Sequence, residues 1–105
     1  MAEATIVVPT QEARLTTRRN WTADISNVLD AGNDAKFVDE EGNQSHINFI
    51  NCTLDATIYL RGPDEDDTKQ KPHRYVSGGW HKVIIGKIFA GGTTASIYLL
   101  GKLEL

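Results

Sequence analysis

Apolar and polar side chains alternate with a period of two along much of this 105-residue chain, most clearly in its last quarter. The stretch from Gly78 to Leu100 reads as two β-branched, strand-forming runs joined by the Gly91-Gly92 turn, which predicts two antiparallel strands with a tight connection. In the first run Val83, Ile85 and Lys87 face one way and Ile84, Gly86 and Ile88 the other. In the second, Ala95, Ile97 and Leu99 alternate with Thr94, Ser96 and Tyr98. Apolar weight on both faces suits a sandwich or a subunit interface better than a hairpin with one wet face.

The remainder divides in the same way. Ala35 to Asp39 and Gln44 to Asn51 read as a hairpin around Glu40-Glu41-Gly42-Asn43, with Ile47 and Phe49 on one face and His46, Asn48 and Ile50 on the other. Ala56 to Arg61 is a further strand, Ile58 and Leu60 opposed to Thr57 and Tyr59. A polar loop over residues 62–72, with a proline near each end, separates it from His73 to Val76, which re-enters the sheet. Trp21 to Leu29 fits two patterns: Trp21, Ile25, Val28 and Leu29 have helical spacing, while Thr22 to Val28 also suits a strand, and Gly32-Asn33 ends the segment in either case. Residues 1–20 combine the β-prone run Thr5 to Val8 with Pro9 and a threonine- and arginine-rich piece. They read as an extended arm, which in so small a domain is expected to be held by a neighbouring subunit. The expected fold is all-β: a β-sandwich or jelly-roll-like barrel of about seven antiparallel strands over residues 21–105, preceded by the arm.

Gly78 and Gly79, the strand Lys82 to Phe89, the turn Ala90-Gly91-Gly92-Thr93-Thr94-Ala95 and the closing strand Ile97 to Leu100 together resemble the C-terminal signature of small tailed-bacteriophage virion proteins, such as head-spike base and capsid-decoration subunits. The resemblance covers about the last quarter of the chain. It implies a virion location after synthesis in the host cytoplasm, and partners that are further copies of the chain, the major capsid or other virion proteins, and a fibre protein.

Composition narrows the alternatives. A net charge of −3 argues against general nucleic-acid binding, which needs clustered cations, and Arg14 with Arg18 and Arg19 forms a single short basic cluster. No apolar run is long enough to cross a bilayer, so no membrane partner is expected. The opening Met1 to Pro9 lacks the basic n-region of a secretory signal, so the chain is expected to be used without export. Cys52, the single cysteine, sits in an apolar strand and reads as a small buried hydrophobe.

Candidate chemistry is sparse. His46, His73 and His81 lack metal-ligand spacing, and the run Asp64-Glu65-Asp66-Asp67 lacks the alternating ligands and turn glycine of a calcium loop, so it reads as a solvated loop. Gly91-Gly92-Thr93-Thr94 has no following lysine and leads into a strand, unlike a phosphate loop, and Ser, His and Asp fall in no recognisable catalytic order. No enzyme and no cofactor are expected. The parts suit an assembly subunit instead, with Tyr and Trp supplying contact area and Phe37, Phe49 and Phe89 filling the core. The expected interface residues are Ile6, Val7, Val8, Arg14, Arg18, Arg19, Trp80, His81 and Tyr98. Two other readings stand beside a capsid decoration or spike-base role: a neck or tail-attachment subunit, and a carbohydrate-binding module with Trp80, Tyr75 and Trp21 as its stacking platform.

Overall fold

The computed structural model describes residues 3–9, 20–93 and 99–104, and within them nine strands form an all-β sandwich of two sheets. In chain order the elements are β1 (Glu3–Val7), β2 (Asn20–Asp24), α1 (Ser26–Asp30), β3 (Asp34–Val38), β4 (Ile47–Cys52), β5 (Ala56–Arg61), a 3-10 turn (Asp67–Lys69), β6 (Lys71–Tyr75), β7 (His81–Ile85), β8 (Lys87–Phe89) and β9 (Leu99–Glu104). One sheet has the order β1-β3-β8-β5-β6 and the other β2-β9-β4-β7. Pairing is antiparallel throughout except between β1 and β3, which run parallel. The core lies between the sheets, where Phe37, Ile50, Ile58, Tyr75, Ile85 and Ile88 are fully buried. Burial of each such side chain contributes about 1.5–3 kcal/mol.

The apolar run of the last quarter is two strands in two sheets, because the chain bends at Gly86. β7 pairs with β4, whereas β8 pairs with β3 and β5. The bend reverses the alternation, so Ile85 and Ile88 both face the core although they differ in parity. Apolar residues therefore occupy both parities without any need for a second buried face. The turn Ala90 to Thr93 forms as expected, with Gly92 at φ +84° and Thr93 N–H donating to the Ala90 carbonyl (3.4 Å). Further along, β9 pairs with β2 and β4 in the other sheet, not with β8. The expected alternation over residues 94–98 lies outside the described residues.

Three further expectations change. The β3–β4 hairpin begins around Asp39, whose Oδ1 accepts the Glu41 and Asn43 N–H groups at 2.9 Å each. After a single bridge between Val38 and Gln44 the chain crosses to the other sheet, and a register shift between Ile47 and Phe49 turns Ile47 and Ile50 inward together, leaving Phe49 outside. The segment Trp21 to Leu29 is a strand followed by a single helical turn, so both patterns were present in succession. Gly32, at φ +83°, ends the turn with its N–H on the Leu29 carbonyl. Residues 3–7 of the expected arm form β1 on β3 of the same chain, and Val8 N–H donates to the Val38 carbonyl (2.7 Å), so the chain itself holds them.

Candidate functional site

The large apolar side chains exposed among the described residues are Val7, Leu54, Val76, Trp80 and Ile84, and the last four lie along β7 or on the turn and loop at its start. Trp80 and Ile84 lie on or immediately before β7, the edge strand of the four-stranded sheet, and Val76 lies on the loop leading into it. Leu54 sits on the turn between β4 and β5, which is tied to that loop because Asp55 Oδ1 accepts the Ser77 N–H at 2.8 Å. The same bond holds the Asp55 carboxyl below the usual carboxylate range.

Strand alternation explains the exposure. His81, Val83 and Ile85 turn towards the core, so Trp80, Lys82 and Ile84 form an outward stripe along an edge that no described strand pairs. Phe49 continues the stripe across the sheet, paired in register with Lys82 on one side and Lys102 on the other. The Lys102 ammonium lies 5.0 Å from the centre of the Trp80 ring and 5.3 Å from that of Phe49, which orients the indole against the sheet. Such an edge offers a row of backbone donors and acceptors beside apolar anchors. The facing edge of the other sheet is blunted: β6, at the end of the five-stranded sheet, carries Lys71, Pro72 and Arg74.

The loop that presents Trp80 is pinned by side chains. Its bend uses Gly78 and Gly79 at φ +125° and +149°, conformations that residues with a Cβ rarely adopt. Behind it the buried Tyr75 hydroxyl bonds both the Gly79 carbonyl and Asn51 Oδ1 (2.9 Å), and His81 Nε2 lies 3.0 Å from the Val76 carbonyl. The His81 ring stacks at 4.1 Å on Tyr75 and meets His73 edge to face at 5.8 Å.

Of the nine residues expected at an interface, the five that are described do not come together. Val7 is exposed on β1, at the far edge of the other sheet; Ile6 is half-buried against the core. Val8 is fully buried in its own chain and presents nothing to a neighbour, because β1 docks where an exchanged arm was expected. Trp80 is 37% exposed and His81 half-buried behind it. Arg14, Arg18, Arg19 and Tyr98 lie outside the described residues. The stacking platform does not assemble: Tyr75 is in the core and Trp21 packs against it from β2, while Trp80 faces outward. Phe37 is a core residue as expected, and Phe89 is buried on the outward side of β8 beneath Lys87.

Sequence reasoning missed a second feature, a charged clamp on the outward face of the five-stranded sheet. Lys87, whose side chain is 6% exposed, meets Asp67 (2.8 Å), Glu3 (2.7 Å) and Asp34 (3.8 Å), and Asp67 also takes the Arg61 Nε–H at 2.9 Å. The acidic run is therefore folded down onto the sheet through Asp67. Asp66 caps the 3-10 turn by accepting the Thr68 N–H at 3.0 Å, and Glu65 accepts the Gly62 N–H at 2.8 Å. The basic and apolar alternation through Lys87 was the available signal, but the burial of that lysine was not visible in it. A shallow hollow of about 180 Å³ beside Asp55, Ala56, Thr57 and Arg74 is too small and open for the apolar enclosure that small-molecule sites need. No three His, Cys, Asp or Glu side chains are placed to hold a metal ion among the described residues.

No protein-family model, no curated protein and no solved structure matches this chain. The functional reading therefore stands on the geometry and on the resemblance of the last quarter.

Proposed function

We propose that this chain is a structural subunit that acts by protein–protein assembly: an oligomeric, capsid-associated component of a tailed-bacteriophage virion, of decoration or head-spike base type. One observation carries the associative part of the reading: Trp80 and Ile84 are exposed along β7, an edge that no described strand pairs, with Leu54 and Val76 exposed on the turn and loop at its start. Water contact at such side chains is unfavourable, and a second strand laid on that edge would satisfy its backbone groups while covering them. Trp80 is suited to anchor the contact, since it combines a large apolar area with few rotatable bonds. The partners are further copies of the chain and the major capsid or another virion protein. The virion placement follows from the resemblance that runs from Gly78 to Leu100.

The test is light scattering on the purified chain, repeated for Ile84→Lys and Trp80→Ser. The expected result is an oligomer whose dissociation constant rises by at least about tenfold in either variant. The melting temperature of the dissociated chain is expected to stay unchanged, because both side chains are on the surface. A monomeric wild type at high concentration, or variants that assemble normally, would remove β7 from the function. Labelled antibody against the chain, applied to intact phage particles, addresses the virion placement separately; unlabelled particles reject it.

A further inference from the structure

We propose that His73 and His81 form a proton-operated latch on the loop of residues 76–80, holding it in place while the His73 ring is neutral and releasing it when that ring is protonated. The two histidines stand on β6 and β7, facing edges of different sheets, and their contact closes the side of the sandwich from which the loop projects. His73 is turned inward opposite Ile58, and its Nε2 is buried without a hydrogen-bond partner. Neutral, the ring packs there at modest cost as an aromatic surface. Protonated, it becomes a double donor carrying a unit charge, with one N–H facing no acceptor and a second histidine 5.8 Å away.

Among the described residues nothing nearby compensates that charge. On β6 its neighbours are Tyr75, inward, and Arg74 and Lys71, both exposed and cationic. From β7 come His81 and the outward Lys82; from β5, the apolar Ile58; from β4, the thiol of the buried Cys52 one inward step beyond Ile50, the register partner of His81. Asp55, on the adjoining turn, is occupied with Ser77 and attracted by Arg74. Burial, and then the charge of His81, hold the His73 imidazole below its ordinary value of 6.5. The folded latch therefore binds a proton less readily than the open chain. Its stabilisation is complete above about 6.5 and is lost as the pH falls from there through the lowered folded value.

Release is local because the loop hangs on these same residues. His81 bonds Val76, and Tyr75, stacked on His81, bonds Gly79. Displacing the His81 ring withdraws the Val76 anchor and the ring that backs Tyr75, so the loop keeps only its bonds through Tyr75 and Asp55 and the contact of Lys102 with Trp80. The loop is then held less firmly. Any consequence for assembly rests on the reading in the preceding subsection, whereas the latch itself does not.

The experiment is hydrogen exchange, corrected for intrinsic rates, on the full chain at about pH 7.5 and about pH 5. In the wild type, protection of residues 76–81 is expected to fall by about tenfold or more on acidification, while the amides of β4 and β5 keep theirs. In His73→Phe, which keeps an aromatic ring and forfeits no hydrogen bond of Nε2, the fall is expected to shrink to less than about twofold, with no loss of stability at neutral pH. Equal protection of the loop at both pH values in the wild type overturns the latch. So does an unchanged loss in His73→Phe, or a loss spread evenly over the core strands. Light scattering on the same samples reads assembly independently, so a working latch on a chain that never associates would overturn the assembly reading alone.

Discussion

Gly86→Ala lowers the stability of the protein by about 3 kcal/mol, read as the shift in the midpoint of urea unfolding at constant slope. Gly86 is where the chain leaves the four-stranded sheet for the five-stranded one. Its N–H donates to the Arg61 carbonyl (2.8 Å) and its carbonyl accepts from Phe37 N–H (3.1 Å), so it is fixed between β5 and β3. A methyl group there would lie 2.5 Å from Pro63 Cα, 2.8 Å from Pro63 N and 2.9 Å from the Gly62 carbonyl oxygen. All three are backbone atoms, and they cannot retreat without disturbing the Gly62–Glu65 turn and the approach of Asp67 to Lys87. The comparison that isolates this cause is Gly101→Ala. There the new methyl would meet Ile25 Cδ1 at 2.6 Å and Ile47 Cδ1 at 3.0 Å, the far ends of side chains that can turn aside. That variant is expected to cost about 1 kcal/mol. Equal losses at the two glycines would show that backbone crowding at residue 86 is not the cause.

Lys87→Ala is expected to cost about 2–3 kcal/mol, somewhat less than the loss of a fully enclosed ion pair, because the carboxylates it abandons can partly rehydrate: the side chains of Glu3 and Asp67 are 41% and 57% exposed. The loss is also expected to be localised. Lys87 ties β1 through Glu3 and the 3-10 turn through Asp67, so amide exchange in residues 3–7 and proteolytic cleavage within residues 62–70 rise together. Adding Glu3→Gln and Asp67→Asn to Lys87→Met, which keeps an apolar stem over the Phe89 ring, is expected to recover most of the stability. Failure of that combination would assign the loss to packing. The pH dependence of the clamp is bounded on both sides. Hydrogen bonds from Lys87 and Arg61 hold the Asp67 carboxyl below its ordinary 3.8, so its contribution is present above that value and disappears as the pH falls through the lowered folded one. Burial works against the charge on Lys87, but the hydrogen bonds with Asp67 and Glu3 more than offset it and hold its ammonium above the ordinary 10.5. Its contribution is present below that value and disappears as the pH rises through the raised folded one.

Several elements were legible because their cause is local. Ala56 to Arg61 forms a strand with Ile58 and Leu60 inward, as its alternation requires. Gly92 and Gly32 mark turns because each needs positive φ, and Cys52 is buried in the apolar strand that surrounds it. The errors share another cause. Alternation reports which residues of a strand share a face; it does not report which sheet the strand joins. β3 and β4, and β8 and β9, looked like neighbours, and β7 and β8 like a single strand; each pair is divided between the two sheets. The candidate site was half visible. Trp80 was singled out, whereas Leu54, Val76 and Ile84 join it only because β7 ends at the sheet edge and the turn at Asp55 is tied to Ser77.

What the amino-acid order determined by itself is the all-β class, most of the strands and the turns between them, since side-chain period, β-branching and glycine placement act over a few residues. Tertiary structure decided the rest: the parity reversal at Gly86, the parallel docking of β1, the burial of Lys87 among carboxylates drawn from three separate segments, and the meeting of His73 with His81. Each depends on residues far apart in the chain. Their free energy exists only once those segments have come together, because only then is water removed from the charges and rings involved.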